Sequence, residues 1–198
     1  MDDFLLPILA GIALAAASGF RVFVPMLAAS VAAHAGYLKP GAGFDWLATY
    51  PAIVSLSAAT VVEVAAYYIP WLDHALDTVA TPTALAAGTT VMAALAPIDD
   101  PAIKWILAAV GGGGAASIVQ LGTVGARALS GATTGGLGNP IVATIEHLAA
   151  IVLSVLAILV PIVAFLFVLA TFYFVAKVIA RFRRMRRNRR AAAETGGV

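Results

Sequence analysis

The sequence predicts an all-α fold, a polytopic transmembrane helical bundle, and its composition is the main reason. Of the 198 residues, 62% are hydrophobic and only 11% are charged, whereas about a quarter of the residues in soluble domains are charged. The mean hydropathy is +0.97. A crossing takes ~20 apolar residues, so five or six crossings leave no length for a separate soluble catalytic domain. We therefore expect neither an enzyme nor a bound cofactor.

Charge is divided unevenly along the chain. Residues 1–176 contain four basic and nine acidic residues, whereas residues 177–198 contain eight basic residues and one acidic residue. This contrast separates a transmembrane domain, residues 1–180, from a basic tail, residues 181–198, whose end we expect to be disordered. Arginines beside a span stay on the cytoplasmic side and attract anionic headgroups by about 1 kcal/mol each, so a cytoplasmic C-terminus is predicted. The headgroup-binding candidates are Arg181, Arg183, Arg184, Arg186 and Arg187.

Five spans are predicted, because proline, glycine and polar residues interrupt the apolar sequence at four places. Pro25 should kink or break the first span just after Arg21. The last apolar run would be about 60 Å long as a helix, twice the thickness of a bilayer core, so a break at Pro161 gives a six-span alternative. The predicted spans are residues 4–35, 51–69 and 82–96, a span that begins near residue 102, and residues 141–180.

The five-span order places the N-terminus outside and the loops with Lys39 and Lys104 inside. The first span should be retained, because a signal peptide needs a basic start and this chain starts with Asp2 and Asp3. Ten of the 18 glycines lie within residues 111–138. The fourth span is therefore either a very closely packed helix or a broken one.

A weak internal repeat relates the two halves of the transmembrane domain. Residues 16–18 (Ala-Ala-Ser) align with residues 115–117, which places Gln120 opposite Arg21. One span between the units would give them opposite orientations, as in the inverted repeats of many transporters, which bind substrate near interrupted helices. The predicted repeat units are residues 8–81 and 107–176.

Glu63 is the clearest candidate for chemistry inside the membrane. It lies near the middle of the second span, among valine, alanine and tyrosine residues. A charged side chain at this depth costs about 2.5–3.5 kcal/mol on insertion scales, so it needs a partner or a function. One interpretation is a proton or cation site, and the other is an ion pair with Arg21 or Arg127 that holds helices together.

Two further candidate sites lie nearer the ends of predicted spans. Asp73 and Asp77 are four residues apart on one helical face, with His74 offset by about 100°. With water they could hold a metal cation, although a polar helix turn at the membrane interface has the same pattern. The loop of residues 133–140 could present backbone N–H groups to an anion, with Asn139 at the start of the last helix, or be a tight turn.

Three segments in combination carry a family resemblance. They are residues 18–21 (Ser-Gly-Phe-Arg), residues 63–77 followed by Ala-Thr-Pro at residues 80–82, and residues 133–140 (Thr-Thr-Gly-Gly-Leu-Gly-Asn-Pro). Together they resemble the bacterial integral-membrane proteins of domain-of-unknown-function family 4126, over residues 8–176. The resemblance implies a multi-pass protein of the bacterial inner (cytoplasmic) membrane, and it brings no activity with it.

The expected function is that of a small transporter or channel-like permease for a cation, a proton or a small solute. Glu63, Asp73 and Asp77 would bind the cation or proton, while Arg21 and Arg127 would balance these carboxylates or meet an anionic group of the substrate. The alternative is a non-transporting scaffold or lipid-binding subunit. Membrane lipids and a second copy of the chain are the expected partners, and the arginine run without interleaved aromatic residues argues against nucleic acid.

Overall fold

The computed structural model describes the backbone of residues 2–195 and the side chains of residues 4–69, 76, 78–177 and 180–181. Within these residues there are helices and turns but no strand, so the all-α prediction is confirmed. A 3-10 turn, Asp45–Ala48, precedes α3, and a π-helical segment, Ala108–Gly113, joins α5 to α6. The helices are α1 (Asp2–Ser18), α2 (Phe23–His34), α3 (Tyr50–Ala66), α4 (Pro70–Leu95), α5 (Pro101–Leu107), α6 (Gly114–Thr134), α7 (Asn139–Leu159) and α8 (Pro161–Thr195).

Local signals explain where several helices begin. Proline occupies one of the first two positions of α3, α4, α5 and α7, where its missing N–H costs nothing. The Thr49 hydroxyl accepts the N–H of Ala52 at 3.4 Å and so caps α3. The Asp100 carboxylate accepts the N–H of Ile103 at 2.9 Å and so caps α5. Each cap satisfies a backbone donor that has no partner within its own helix.

The first apolar stretch forms a helical hairpin and not one kinked span. The helix breaks before Arg21, between α1 and α2, so the prediction of a break after Arg21 at Pro25 is wrong. Pro25 lies in the first turn of α2, where backbone N–H groups have no intrahelical acceptor. Leu6 of α1 and Tyr37 after α2 line the same cavity, so α2 returns to the end of the bundle at which α1 begins.

The same cavity marks one end of the bundle, because it also includes Lys39, Pro97 and Leu159. Leu159 is the last residue of α7, which has 21 residues. The beginning of α7, with the turn that precedes it, therefore lies about 30 Å away, at the opposite end.

The long apolar run at the C-terminus is divided at Val160, whose φ of −141° and ψ of 70° are not helical. A Cβ atom on Gly122 of α6 would lie 3.7 Å from the Val175 side chain of α8. Since α8 begins at the Lys39 end, this contact shows that α8 runs back along the bundle toward the opposite end. The structure therefore separates the Lys39 loop from the arginine tail, contrary to the five-span order. The number of crossings stays a prediction.

The glycine-rich fourth span is a closely packed helix. α5, the π-helical segment and α6 form one helical run of 34 residues, Pro101–Thr134. A Cβ atom on Gly88 of α4 would lie 2.6 Å from the Ala116 Cβ atom and 2.8 Å from the Gly112 carbonyl oxygen. Glycine at these positions lets the two backbones approach more closely than any side chain would allow.

α1 is the central helix. Ala13, Leu14, Ala16 and Ala17 are fully buried, in contact with apolar residues of α4, α6, α7 and α8. Small side chains on α1 allow several helices to pack closely around it.

Three helical stretches among the described residues are long and apolar enough to cross a membrane, and shorter apolar helices accompany them. These features are those of a membrane protein. The three stretches are Thr78–Leu95, Pro101–Thr134 and Asn139–Leu159.

The separation of the two ends predicts where introduced cysteines will react. The chain has no cysteine, and both Ala42 and Leu137 are exposed. If the arginine tail is cytoplasmic, Ala42→Cys should react with a membrane-impermeant maleimide in intact cells, and Leu137→Cys only after permeabilisation. The five-span order predicts the reverse pattern, so reversed labelling of a protein whose tail is cytoplasmic would show that this arrangement of the ends is wrong.

Candidate functional site: a buried ionic cluster

Arg21 lies in the break between α1 and α2 and is 2% exposed. Gly19 packs directly against α6, since a Cβ atom there would collide with the Ala116 carbonyl oxygen. This close approach ends α1 and directs the following residues toward α7.

The Arg21 guanidinium forms four polar contacts. Nη2 lies 2.9 Å from Oε2 of Glu146 and 3.3 Å from the Ala143 carbonyl oxygen. Nε donates to Nδ1 of His147 at 2.8 Å, and Nη1 donates to the Phe20 carbonyl at 2.7 Å. Arg21 is thus tied both to its own loop and to one turn of α7.

Glu146 is shared between two arginines. Nε of Arg127, on α6, lies 3.2 Å from each oxygen of the Glu146 carboxylate, and Nη2 of Arg127 contacts Oε2. Arg127 is 5% exposed and Glu146 4% exposed. One carboxylate therefore bridges the α1–α2 break, α6 and α7 in a region that excludes solvent.

Tyr67, at the end of α3, completes the enclosure of the two guanidinium groups. Its ring centroid lies 3.8 Å from Cζ of Arg21 and 4.3 Å from Cζ of Arg127. Both distances are within the range of cation–π attraction, which is stronger away from water. The neighbouring Tyr68 donates to or accepts from the Thr144 hydroxyl at 2.9 Å, which fixes α3 to α7.

Glu63 has a role that neither sequence interpretation anticipated. Its Oε1 accepts the N–H of Val22 at 2.7 Å, and its Oε2 accepts the N–H of Phe23 at 3.0 Å. The carboxylate thus caps the N-terminus of α2, where the helix dipole favours negative charge. Arg21 also attracts it electrostatically.

The charges of this region balance. The two guanidinium groups of Arg21 and Arg127 face the two carboxylates of Glu146 and Glu63, so the net charge is zero with neutral histidine. Among the described residues there is no group of three or more histidine, aspartate or glutamate side chains that could hold a metal ion. The predicted metal candidates Asp73, His74 and Asp77 have side chains that lie outside the described residues.

His147 has one ring nitrogen in use and one without a partner. Because Nδ1 accepts a hydrogen bond from Arg21, the proton of the neutral imidazole is on Nε2. Nε2 is buried, and within the described residues it has no hydrogen-bond partner. The Val64 carbonyl lies close to the imidazole ring but is outside hydrogen-bond geometry for Nε2. A buried donor left in this state costs about 1–3 kcal/mol.

The loop predicted as an anion site or a tight turn is a turn in which the N–H groups of Leu137, Gly138 and Asn139 are already used. Gly135 and Gly136 have φ of +62° and +90°, values that glycine adopts without strain. The N–H of Gly138 donates to the Thr134 hydroxyl at 2.9 Å, and the N–H of Asn139 donates to the Gly136 carbonyl at 3.0 Å. Asn139 lies about 10 Å along α7 from Glu146.

The remaining predicted binding residues are Gln120 and the arginines of the tail. Gln120 is buried, at 5% exposure, on the part of α6 that Gly19 contacts. Arg181 is exposed. The side chains of Arg183, Arg184, Arg186 and Arg187 lie outside the described residues, so lipid binding by the tail stays a prediction.

Sequence analysis missed Glu146, His147 and Tyr67 as members of the site. From the sequence alone, a carboxylate early in a helix indicates no more than a favourable interaction with the helix dipole. A signal was present, because Glu146 and His147 are adjacent polar residues in a strongly apolar helix, where each needs a partner.

Residues 8–181 match a family described as a domain of unknown function, DUF4126. No curated protein sequence and no solved structure matches the chain. Since the match covers most of the chain and nearly all of the predicted transmembrane domain, the chain belongs to the DUF4126 family.

Proposed function

We propose that this chain is a small membrane transporter and that its solute site is the cluster of Arg21, Arg127, Glu146, His147 and Tyr67. The observation that carries the proposal is the buried Nε2 of His147, in a ring that accepts from Arg21: it meets no acceptor in hydrogen-bond geometry among the described residues, although the Val64 carbonyl lies close to the ring. A cluster that served the fold alone would gain from having every donor satisfied. A polar atom of a bound solute would complete it.

The cost of the charges also supports a function. Replacing a buried ion pair by well-packed apolar residues is often neutral or stabilising, so such pairs are weak evidence of a purely structural role. Ionisable residues inside a membrane are expensive and typically mark substrate or ion pathways. The interruption at Arg21 fits this view, since transporter sites commonly lie at broken helices.

The chemistry of the cluster favours an anionic solute over a metal cation. A cation would meet two guanidinium groups within contact distance of one carboxylate. An anionic group could replace the Glu146 carboxylate between Arg21 and Arg127 when Glu146 takes up a proton. The net charge of the site would then stay at zero, and solute binding would be linked to one proton.

A route toward the cluster lies between α3 and α4. A groove of about 450 Å³ is lined by apolar residues of both helices, with Glu63 and Tyr67 among its lining residues. Glu63 caps α2 and Tyr67 contacts both arginines, so the groove ends at the wall of the cluster. Movement of the Tyr67 side chain would connect the groove with the ionic cluster.

We expect His147→Met to slow transport while leaving the fold intact, because methionine fills the space of the imidazole and its sulfur can weakly accept from Arg21, but it has no N–H donor. The protein is reconstituted into vesicles that contain the pH indicator pyranine, and a gradient of phosphate or succinate is imposed. The rate of lumenal acidification should fall by about tenfold or more, since a hydrogen bond to a charged group contributes about 1.5–3 kcal/mol.

His34→Met is the matched control, because His34 is an exposed histidine near the C-terminal end of α2. Its rate should equal that of the wild type. If the wild type shows no anion-dependent acidification, the transport proposal is wrong. If His147→Met is as fast as the wild type, the cluster is not the solute site.

A lipid-binding scaffold is the second candidate, and one observation favours it. All four carboxylate oxygens of Glu63 and Glu146 are already engaged by backbone N–H groups or guanidinium groups. If the protein is a scaffold, substitutions in the cluster would change the stability of the fold and not the rate of solute flux. The homo-oligomer, the inverted repeat and the cytoplasmic side of the C-terminus stay predictions.

A further inference from the structure

A second candidate binding site lies between α2 and α7, away from the ionic cluster. There, a groove of about 410 Å³ is lined almost entirely by aliphatic side chains. Val24, Ala28 and Val31 contribute from α2, and Ile151 and Val155 contribute from α7. This α2–α7 groove is almost entirely apolar and is open to the surroundings of the bundle.

The α2–α7 groove continues into the larger cavity at the end of the bundle. Tyr37, Ile158 and Leu159 line both spaces, so the two are contiguous. The end cavity measures about 700 Å³ and also includes Lys39 and Gly41. An apolar groove thus leads to an opening with a basic residue at its edge.

A second ammonium group lies beside the same opening. A Cβ atom on Gly41 would be 3.6 Å from Nζ of Lys104, which places Lys104 next to the cavity wall. Neither Lys39 nor Lys104 forms an ion pair or a side-chain hydrogen bond with any residue whose side chain is described. The nearby Asp100 carboxylate caps α5, and Asp99 is exposed and pairs with neither lysine.

We propose that the α2–α7 groove and the end cavity together bind one anionic phospholipid. An acyl chain lies along α2 and α7, and the phosphate lies between Lys39 and Lys104. Two ammonium groups without carboxylate partners among the described side chains complement a phosphate, and the aliphatic groove removes an acyl chain from contact with neighbouring lipids. The site shares no residue with the ionic cluster, so it does not depend on the proposed transport function.

The test compares two lipids that differ only in headgroup. Purified protein in detergent is titrated with phosphatidylglycerol or with phosphatidylcholine of identical acyl chains, and bound lipid is counted by native mass spectrometry. For the double variant Lys39→Gln/Lys104→Gln, the affinity for phosphatidylglycerol should fall by about 30-fold, roughly fivefold per lysine. Phosphatidylcholine binding should stay the same.

A second variant tests the acyl-chain part of the site. Ala28→Leu fills the α2–α7 groove and should weaken both lipids to a similar extent. Lys177→Gln, an exposed lysine on α8, is the control and should change neither affinity. The proposal is wrong if Ala28→Leu leaves both affinities unchanged. It is also wrong if removing residues 181–198 abolishes the preference for phosphatidylglycerol while the lysine double variant keeps it.

Discussion

Glu146→Gln is expected to prevent stable folding. The substitution leaves Arg21 and Arg127 buried with no full charge between them, at 2% and 5% exposure. Removing one partner of a buried ion pair typically costs about 3–5 kcal/mol, and here a single carboxylate serves two guanidinium groups. Since whole proteins are stable by about 5–15 kcal/mol, we expect little monodisperse protein after extraction, measured by size-exclusion chromatography and by the midpoint of thermal unfolding.

Two comparisons isolate the cause of this loss. Glu63→Gln should cost only about 1 kcal/mol, because glutamine retains a carbonyl that can accept one of the two capping N–H groups of α2. Adding Arg127→Leu to Glu146→Gln should restore most of the stability. Only one buried guanidinium, that of Arg21, then remains, and the Glu63 carboxylate balances its charge. A Glu146→Gln protein as stable as the wild type would show that the ion pairs do not hold the fold together.

Gly112→Ala is expected to push α4 away from the π-helical segment and to destabilise the bundle. A Cβ atom there would collide with the Met92 Cβ atom and with the Gly88 carbonyl oxygen. Neither atom is the free end of a flexible side chain, so the helices must separate. Overpacking of this kind costs about 1–3 kcal/mol, which a shift in the thermal unfolding midpoint would report.

Gly111→Ala is the matched control, one residue away in the same π-helical segment. A Cβ atom on Gly111 would meet nothing within 4 Å. Alanine should therefore be neutral or stabilise by up to about 1 kcal/mol, because glycine is the poorer helix former. Equal effects of the two substitutions would argue against the close contact between α4 and the π-helical segment.

The sequence alone was sufficient to predict where several helices begin. Prolines at residues 51, 101 and 161 cannot donate to a preceding turn, and each lies in the first two positions of a helix in the structure. The close packing of the glycine-rich span was also one of two expected outcomes. These features depend on local chemistry, which the sequence carries directly.

The direction in which each helix runs could not be predicted from local chemistry. Apolar content shows that residues 4–35 avoid water but not whether they cross the membrane or return. The return depends on Gly19, whose close contact with the Ala116 carbonyl oxygen is made by a residue far away in sequence. Without that contact, a single long span was the simpler prediction.

The partners of the buried charges were unpredictable for a similar reason. Arg21 and Arg127 each had several acidic residues within reach, and Glu63 was the carboxylate nearest the middle of a predicted span. The structure pairs both arginines with Glu146 because the break after α1 faces the first turns of α7. Pairing follows from tertiary geometry, whereas the sequence shows only that each charge needs a partner.

The central claim is that the ionic cluster binds a solute and does not serve the fold alone. The most direct measurement is the rate of phosphate- or succinate-dependent acidification in pyranine vesicles that contain the double variant Arg127→Leu/Glu146→Gln. Our account predicts a protein that folds, unfolds at a midpoint only slightly below that of the wild type and no longer acidifies the vesicle lumen. A folded double variant that transports as fast as the wild type would contradict it.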